Sequence, residues 1–444
     1  MLSKETAYSI IDIAVEEAKG YDARILVQGG TEALTRFANS EIHQNVEVTQ
    51  MKVTIVISQG KKRSRIETDL CTAEGVREGV REAIANLDFL PEGEEEPPLV
   101  ETPGEIEKVD LDPDLEEQYS RENRARLLGE AIATLEENYK AYGTLTYKKL
   151  LIAVGNSRGI KRFFLGNNVN FTALISSGSG GSGYADDQSN RAAHLDIPAA
   201  FARAYRKARL NQNPQDLEPG AYTVVLEPLA VGDILKFLSY LGFSAKRVQD
   251  QASFLTGRLG EKVFDESINI KDDCSDPNTV NLPFDFEGAP RKAVTIIDKG
   301  VAKGLTYDLA SARKDGVETT GHSVNMPHMG GLPLNLVMAG GEESLEDIIA
   351  GTREGLLVTR FHYMNPTNPR TAQLTALTRD GLFRIQEGKI AGAVKNMRFT
   401  ESMLEAFNNV EAISKERQRT DFFFMNSYVP ALKINNFHFT GKSS

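Results

Sequence analysis

The spacing of apolar residues divides the first part of the chain into helical and extended segments. Near the start, apolar residues recur at helical spacing behind Ser3, a plausible N-cap: Ala7, Ile10, Ile11, Ala14 and Ala18. Three strands are then predicted, over residues 23–27, 33–38 and 47–58, and the last of them alternates in part between apolar and polar positions. A second helix is predicted behind Thr72. Residues 1–90 therefore read as an α/β subdomain.

The same periodicities organise the rest of the chain. Residues 118–215 are predicted to form a middle α/β subdomain that ends in a helix from Ile197 to Leu210. Tyr222–Leu226 is predicted to be a strand and Val231–Leu241 a helix. From Val280 onward the pattern is mostly that of strands, with a further helix behind Ser344. The predicted fold class is α+β, with an N-terminal α/β region followed by a β-rich C-terminal domain spanning residues 216–444.

An acidic, proline-containing stretch separates the first two segments. Residues 91–117 hold twelve acids and one lysine, while the whole chain of 444 residues has a net charge of −11. Like charges and prolines do not build a packed core, so this stretch is predicted to be a solvated linker. The remainder of the chain is near neutral, which argues against a nucleic-acid partner.

Composition also limits the cellular setting. The sequence has no run of about 18 apolar residues, so no membrane-spanning helix is expected. The first residues carry acids through their apolar part, unlike a signal peptide. Cys71 and Cys274 are far apart in sequence and are expected to be reduced thiols. A cytoplasmic location follows as the expectation.

The segment from Leu356 to Phe399 is the strongest candidate for a functional region. It is predicted to be a strand, a loop with two prolines, a strand that ends in a tight turn at Arg379-Asp380-Gly381, and a further strand. Its polar residues have two interpretations. Arg379 and Asp380 either pair locally to shape the turn, or they join Arg360 and Tyr363 in binding an extended peptide or a partner subunit.

Histidines offer little catalytic chemistry. His322 and His328 lie in a glycine-containing loop with no cysteine or carboxylate among them, so neither a metal site nor a catalytic triad is favoured. His322 is expected either to hydrogen-bond to backbone beside a strand end or to line a peptide groove. No catalytic or metal-ligating residue is predicted in this chain.

Several short blocks, in order along the chain, resemble the TldD/PmbA family. They are Arg36-Phe37-Ala38-Asn39, Asn156-Ser157-Arg158-Gly159, Phe284-Asp285-Phe286-Glu287-Gly288, Thr320-Gly321-His322, Thr378-Arg379-Asp380-Gly381 and Glu387-Gly388-Lys389-Ile390. The resemblance implies the fold of that family and a role in the degradation or trimming of unfolded peptides by paired subunits. The family's label as a modulator of DNA gyrase fits poorly with the near-neutral body of the chain.

The resemblance also implies which subunit this chain is. Catalytic members carry a His-Glu-x-x-x-His (HExxxH) motif on the first helix after residue 226, where the two histidines and the glutamate serve a divalent metal. Here Gly232-Asp233 stands at the His-Glu position and Phe237 or Leu238 at the second histidine. The implied protein is a TldE/PmbA-like subunit without metal ligands or cofactor, paired with a metal-bearing TldD-type partner or with itself.

Three functions stay open from the sequence. The first is this non-metal subunit of a peptidase complex, with His322, Arg360, Tyr363, Arg379 and Asp380 as substrate or partner contacts. The second is a stand-alone peptidase with a different site. The third is a peptide-binding or regulatory protein without protease activity.

Overall fold

The computed structural model describes residues 3–93, 98–106, 109, 111–178, 180–326, 328–422 and 425–442. Two β-sheets dominate, one built by the N-terminal half of the chain and the other by the C-terminal half. Helices pack on both sheets, and neighbouring strands of the N-terminal sheet are antiparallel. The predicted α+β fold class is confirmed.

Six strands form the N-terminal sheet in the order β3-β2-β1-β4-β5-β6. Their bounds are β1 Asp22–Ala38, β2 Glu41–Gln59, β3 Lys62–Thr68, β4 Tyr139–Asn156, β5 Lys161–Ser177 and β6 Ser182–Ser189. The sequence pattern predicted shorter pieces in this region. The strands are longer because their backbones stay paired across the ladder through polar positions as well: β5 buries alternate side chains along most of its length and pairs with β4 from Lys161 to Ser177.

One face of this sheet is covered by helices: α1 Lys4–Glu17, α2 Ala73–Asn86, α3 Pro113–Gln118, α4 Arg121–Ile132 and α5 Ile197–Leu210. The predicted caps are confirmed, since the hydroxyls of Ser3 and Thr72 accept hydrogen bonds from backbone amides in the first turn of α1 and α2. The opposite face turns toward the C-terminal half, where Phe284 joins a shared apolar cluster with Ile152 and Phe164.

The C-terminal sheet is larger and partly closed. Its strands are β7 Gly220–Leu226, β8 Ile270–Asp272, β9 Val294–Asp298, β10 Val301–Ala302, β11 Asn335–Met338, β12 Glu354–Asn368, β13 Gln373–Gln386, β14 Lys389–Val394, β15 Met397–Ser402, β16 Val410–Phe422 and β17 Met425–Lys442. Strands β17, β15, β13, β12 and β7 pair in turn, and β7 pairs again with β17. This ring encloses an apolar core that includes Phe361, Phe399 and Phe437.

Short helices accompany this sheet: α6 Pro228–Leu238, α7 Ala245–Gln249, α8 Leu309–Asp315, α9 Leu345–Ala350 and α10 Met403–Asn408. Helix α6 begins three residues before the predicted start, because Pro228 suits the first turn of a helix. The predicted cap of α9 is confirmed as a capping box between Ser344 and Asp347.

The segments predicted as separate N-terminal and middle subdomains share one sheet. Strand β1 lies in segment 1–90 and pairs along its length with β4 of segment 118–215. The stretch 91–117 is also more than a solvated linker, because Val100 and Leu115 are buried and α3 begins within it at Pro113. Residues 94–97, 107–108 and 110 of this stretch lie outside the described residues.

Two details of the Leu356–Phe399 prediction are wrong. The predicted loop is largely strand, since β12 continues to Asn368 and Pro366 pairs with Leu374 of β13. The predicted turn at Arg379-Asp380-Gly381 lies inside β13, where Asp380 and Gly381 have φ of 56° and 137°. The left-handed residues form a bulge rather than a chain reversal, because strand pairing resumes on both sides.

Candidate functional site

Helix α6 is pressed against strand β16 at the junction of the two halves. A Cβ atom on Gly232 would lie 2.1 Å from the Thr420 hydroxyl oxygen, so this approach requires glycine. The helix is apolar on most of its surface and belongs to the central cluster of the C-terminal half. Its two charged residues, Asp233 and Lys236, therefore need partners in the protein interior.

Lys236 is the centre of a buried group of charges. Its side chain is 2% exposed, and its Nζ lies 4.0 Å from Asp233 Oδ1. Burial lowers the pKa of Lys236, while the charges of Asp233, Asp421 and Asp186 oppose this shift. The charges of three carboxylates, from α6, β16 and β6, thus act on one buried ammonium group.

The pKa values of the three carboxylates are shifted in the opposite direction, upward. Burial raises the pKa of Asp186 to about 7, against the attraction of Lys236. Burial also raises the pKa of Asp233, whose side chain keeps 28% exposure, and the pKa of Asp421. A buried carboxylate that titrates near neutral pH can hold or release a proton under physiological conditions.

Hydrogen bonds from both halves hold these carboxylates in place. The Gln418 amide on β16 donates to Asp186 Oδ1 at 2.7 Å, and the Asn170 amide on β5 donates to Asp421 Oδ2 at 3.4 Å. Burial lowers the pKa of nearby Arg419 to about 10, and its Nη1 donates to Asn190 Oδ1 at 3.1 Å. The group therefore ties the N-terminal sheet to the C-terminal half.

Arg360 and Asp380, two of the residues predicted as contacts, lie beside this group and bond to each other. Arg360 Nε donates to Asp380 Oδ2 at 2.8 Å, and the guanidinium lies 4.1 Å from the centre of the Tyr184 ring. Ser182 donates to the other carboxylate oxygen of Asp380 at 2.8 Å. The pair thus joins β12 and β13 to β6. Burial raises the pKa of Tyr184, and the charges of Asp186 and Asp233 raise it further.

The other predicted contacts are more scattered. Tyr363 is 76% exposed, with a left-handed φ of 52°. The Arg379 side chain is 49% exposed and lies 3.9 Å from Asp380. His322 has no exposed surface, and its ring nitrogens bond to Asp272 Oδ1 at 2.9 Å and to the Thr320 carbonyl at 2.8 Å. Of its two interpretations, this geometry favours the hydrogen bond to backbone.

The site contains residues that sequence reasoning missed. Lys236, Asp186 and Asp421 were not among the candidates. A signal for Lys236 was available, because it stands three residues after Asp233 in an otherwise apolar helix, where a charge must be buried and paired. Asp186 and Asp421 are 235 residues apart in sequence numbering, and only the meeting of β6 with β16 brings them together.

The two sheets, joined through this interior site, define the chain as an α+β protein. The whole chain is similar in structure to TldE from Thermococcus kodakarensis, with a TM-score of 0.87, 21% identity, and coverage of 98% of this chain and 100% of that chain. At this identity the likeness establishes the fold. Residues 219–441 match the family model of the PmbA/TldA metallopeptidase C-terminal domain. The chain therefore belongs to the PmbA/TldD family.

Curated relatives agree with this membership. A metalloprotease of Methanothermobacter thermautotrophicus is 26% identical over 203 residues, which cover 44% of this chain and 43% of the relative. An uncharacterized protein of Methanocaldococcus jannaschii is 27% identical over 201 residues, or 44% of this chain and 46% of the relative. The chain thus spans about half the length of the curated relatives it matches.

The residues on α6 do not fit the divalent metal that the family resemblance implies. Gly232 has no side chain to offer, Phe237 is apolar, and the ammonium of Lys236 already faces the three carboxylates. Within the described ranges, no group of three or more His, Cys, Asp or Glu residues is arranged to hold a metal ion. A cation next to a fixed ammonium group would be repelled.

Proposed function

We propose that this chain is a TldE/PmbA-like subunit of a metallopeptidase complex, which acts on unfolded peptides but holds no catalytic metal itself. The catalytic metal belongs to a TldD-type partner that bears the His-Glu-x-x-x-His motif. This chain completes the substrate chamber and binds the peptide. A homodimer is the alternative assembly.

The position of Lys236 carries this proposal. In the helix that would present metal ligands, it supplies a positive charge of its own to Asp186, Asp233 and Asp421. Family membership supports the link to proteolysis. Carboxylates that could otherwise bind a metal are thereby neutralised in part by the ammonium of Lys236. The group then stabilises the junction and supplies no catalytic chemistry.

Peptide binding is supported by exposed groups next to this junction. Tyr363 presents an aromatic ring and Arg379 a guanidinium from β12 and β13, while Arg360 and Asp380 hold that part of the sheet in place. Aromatic and arginine side chains are common anchors in binding surfaces. Extended peptides add readily to the edges of sheets through main-chain hydrogen bonds.

The proposal includes the cytoplasmic setting that the sequence predicted and no direct nucleic-acid partner. The excess of 62 acids over 51 lysines and arginines supports the second part. In the part of the chain that the structure describes, no helix is long and apolar enough to cross a membrane.

The experiment is co-purification with a His-Glu-x-x-x-His-bearing relative from the same cell, followed by peptidase assays of each chain alone and of the mixture. The proposal expects cleavage only when the motif-bearing chain is present, and faster cleavage with both. Cleavage by this chain alone, abolished by a chelator or blocked by a thiol reagent, would establish a stand-alone peptidase. Peptide binding without any motif-bearing relative in the cell would establish a regulatory protein.

A further inference from the structure

The outer edge of the N-terminal sheet is open along half of strand β2. Strand β2 pairs with β1 over almost all of its length, whereas β3 pairs only with its last part, from Val53 to Gln59. Among the residues that the structure describes, no strand pairs with the outer side of β2 over residues 44–52. This open stretch is longer than a typical whole strand, which has about 5–6 residues.

Hydrogen bonds at the start of β1 show which backbone groups of the open edge point outward. The Ala23 amide donates to the Ser157 hydroxyl at 3.0 Å and the Ala23 carbonyl accepts from the Ser157 amide at 2.9 Å, so both groups point toward β4. Ile57 on β2 lies opposite Ala23, and its backbone groups therefore point away from β1. The direction alternates along the strand, and the register is regular up to residue 44. The N–H and C=O groups of Asn45 and Glu47 consequently point outward as well.

The side chains of the open edge form an exposed apolar stripe. Val46 and Val48 are 43% and 47% exposed, and residues two apart on a strand point to the same face. Leu34 lies opposite Val46 on β1, and Leu150 on β4, which is 39% exposed, shares this face. The helices α1 and α2 pack on the other face of the sheet. The stripe is therefore accessible to another molecule, and exposed apolar stripes of this kind mark association surfaces.

The open edge lacks the features that keep sheet edges from pairing. Natural edge strands are protected by prolines, lysines, bulges or short length. From Gln44 to Met51 the sequence has no proline and no lysine, and Glu47 is its only charged residue. The protecting features stand at the two ends, where His43 forms a bulge against β1 and Lys52 follows Met51. The stretch between them is suited to pair with another strand.

We propose that a second copy of this chain pairs with the open edge, antiparallel and related by a two-fold axis, so that the two N-terminal sheets become one. Pairing through the outward backbone groups places outward-pointing residues of the two copies opposite each other. A register with Glu47 opposite its own copy would bring two carboxylates together, which is unfavourable. In the neighbouring register, Val46 meets Val46 of the second copy across the axis. Glu47 then meets Asn45 of the second copy, whose amide can donate to the carboxylate.

A second copy fits this edge better than an unfolded peptide does. The edge of a second copy is already ordered by its pairing with β1, whereas a free peptide loses conformational entropy when it becomes a strand. The two-fold arrangement also pairs Glu47 with a neutral amide twice and joins the two apolar stripes. The inference gives an interface to the homodimer, the alternative assembly of the proposed function, and it requires no role in proteolysis.

Sedimentation velocity of the full chain over a range of concentrations tests the pairing. The expected result is a species of twice the monomer mass of 48.9 kDa, which grows with concentration. The double substitution Val46→Lys and Val48→Lys should raise the dissociation constant of this dimer about tenfold or more, because charges replace apolar contacts on both sides of the axis. Val317→Lys is the matched control, since Val317 is 49% exposed in the C-terminal half, and it should dimerise as the unmodified chain does. A chain that is monomeric at every concentration, or an unchanged dissociation constant in a folded double variant, overturns the proposal.

Disulfide cross-linking tests the register. Directly opposed residues of a non-hydrogen-bonded pair have Cα atoms about 4.5 Å apart, within the range of about 4.4–6.8 Å that a disulfide spans. In a Cys71→Ser background, Val46→Cys should therefore form a covalent dimer under mild oxidation, while Val317→Cys should not. Absence of the Val46→Cys cross-link contradicts the proposed pairing. A chain that is monomeric alone and pairs through this edge only with a TldD-type relative also overturns the second copy as the occupant. Peptide cleavage is not measured, so these outcomes are independent of the proposed peptidase role.

Discussion

Replacing Lys236 by methionine removes the ammonium from the buried charge group while keeping a side chain of similar length. In the structure, the charges of Asp233, Asp421 and Asp186 act on this ammonium, and the Lys236 side chain is 2% exposed. Removing one partner of a buried ion pair costs about 3–5 kcal/mol, because the remaining charge stays in the interior. At pH 8 we therefore expect Lys236→Met to lower the free energy of unfolding by about that amount.

The stability lost in Lys236→Met should depend on pH, and the raised pKa of Asp186 gives the direction of that dependence. The folded-state pKa of Asp186 is raised to about 7, so the stability that Asp186 contributes is greatest at low pH and is lost as the pH rises through 7. Lys236 limits that loss, since its charge lowers the pKa of Asp186. Without Lys236 the loss with rising pH is larger. At pH 5 Asp186 is protonated, and a buried ammonium is then itself unfavourable. The free energy of unfolding of Lys236→Met at pH 5 should therefore equal or exceed that of the unmodified protein.

Urea unfolding, monitored by circular dichroism, measures the difference in free energy of unfolding between Lys236→Met and the unmodified protein at pH 5 and at pH 8. Lys292→Met is the control, because that lysine is half exposed and pairs with an exposed glutamate, and it should change stability little at either pH. A deficit for Lys236→Met that is the same at both pH values would show that the lysine contributes packing alone. That result would refute the reasoning about the charge group.

Three further outcomes test other parts of the site. Gly232→Ala should lower the melting temperature, because its Cβ would lie 2.1 Å from the Thr420 hydroxyl, and Thr420→Ala in the same chain should restore part of the loss; no loss in the single variant would contradict the close packing. Asp380→Asn should destabilise the chain by about 1–3 kcal/mol in urea unfolding, since it weakens a charged hydrogen bond to Arg360, and an unchanged midpoint would argue against that pair. Tyr363→Ala should leave the melting temperature unchanged but weaken the binding of an unfolded peptide, and unchanged binding would remove Tyr363 from the proposed surface.

Local signals predicted much of the fold. Ser3, Thr72 and Ser344 were recognised as caps because a hydroxyl before an apolar helical pattern satisfies free backbone amides. The helix Ile197–Leu210 was predicted with its observed bounds, since its alanines recur on one face and proline stands in its first turn. These features depend on neighbours in sequence, which the pattern shows directly.

Features that depend on distant partners could not be predicted in this way. Glycine with an acid before it reads as a turn, yet Asp380 and Gly381 form a bulge because β12 pairs with β13 on both sides of them. Asp186 was not among the candidates, because it is held in the interior by a hydrogen bond from Gln418 on β16 of the other half.

The metal content of the purified chain tests the central claim most directly. After incubation with excess zinc and removal of unbound metal, mass spectrometry of the elements gives the number of ions per chain. Because the charge of Lys236 on α6 already acts on Asp233, Asp186 and Asp421, the account predicts far less than one ion per chain. One tightly held ion per chain, lost on Asp233→Asn or Asp186→Asn substitution, would contradict it.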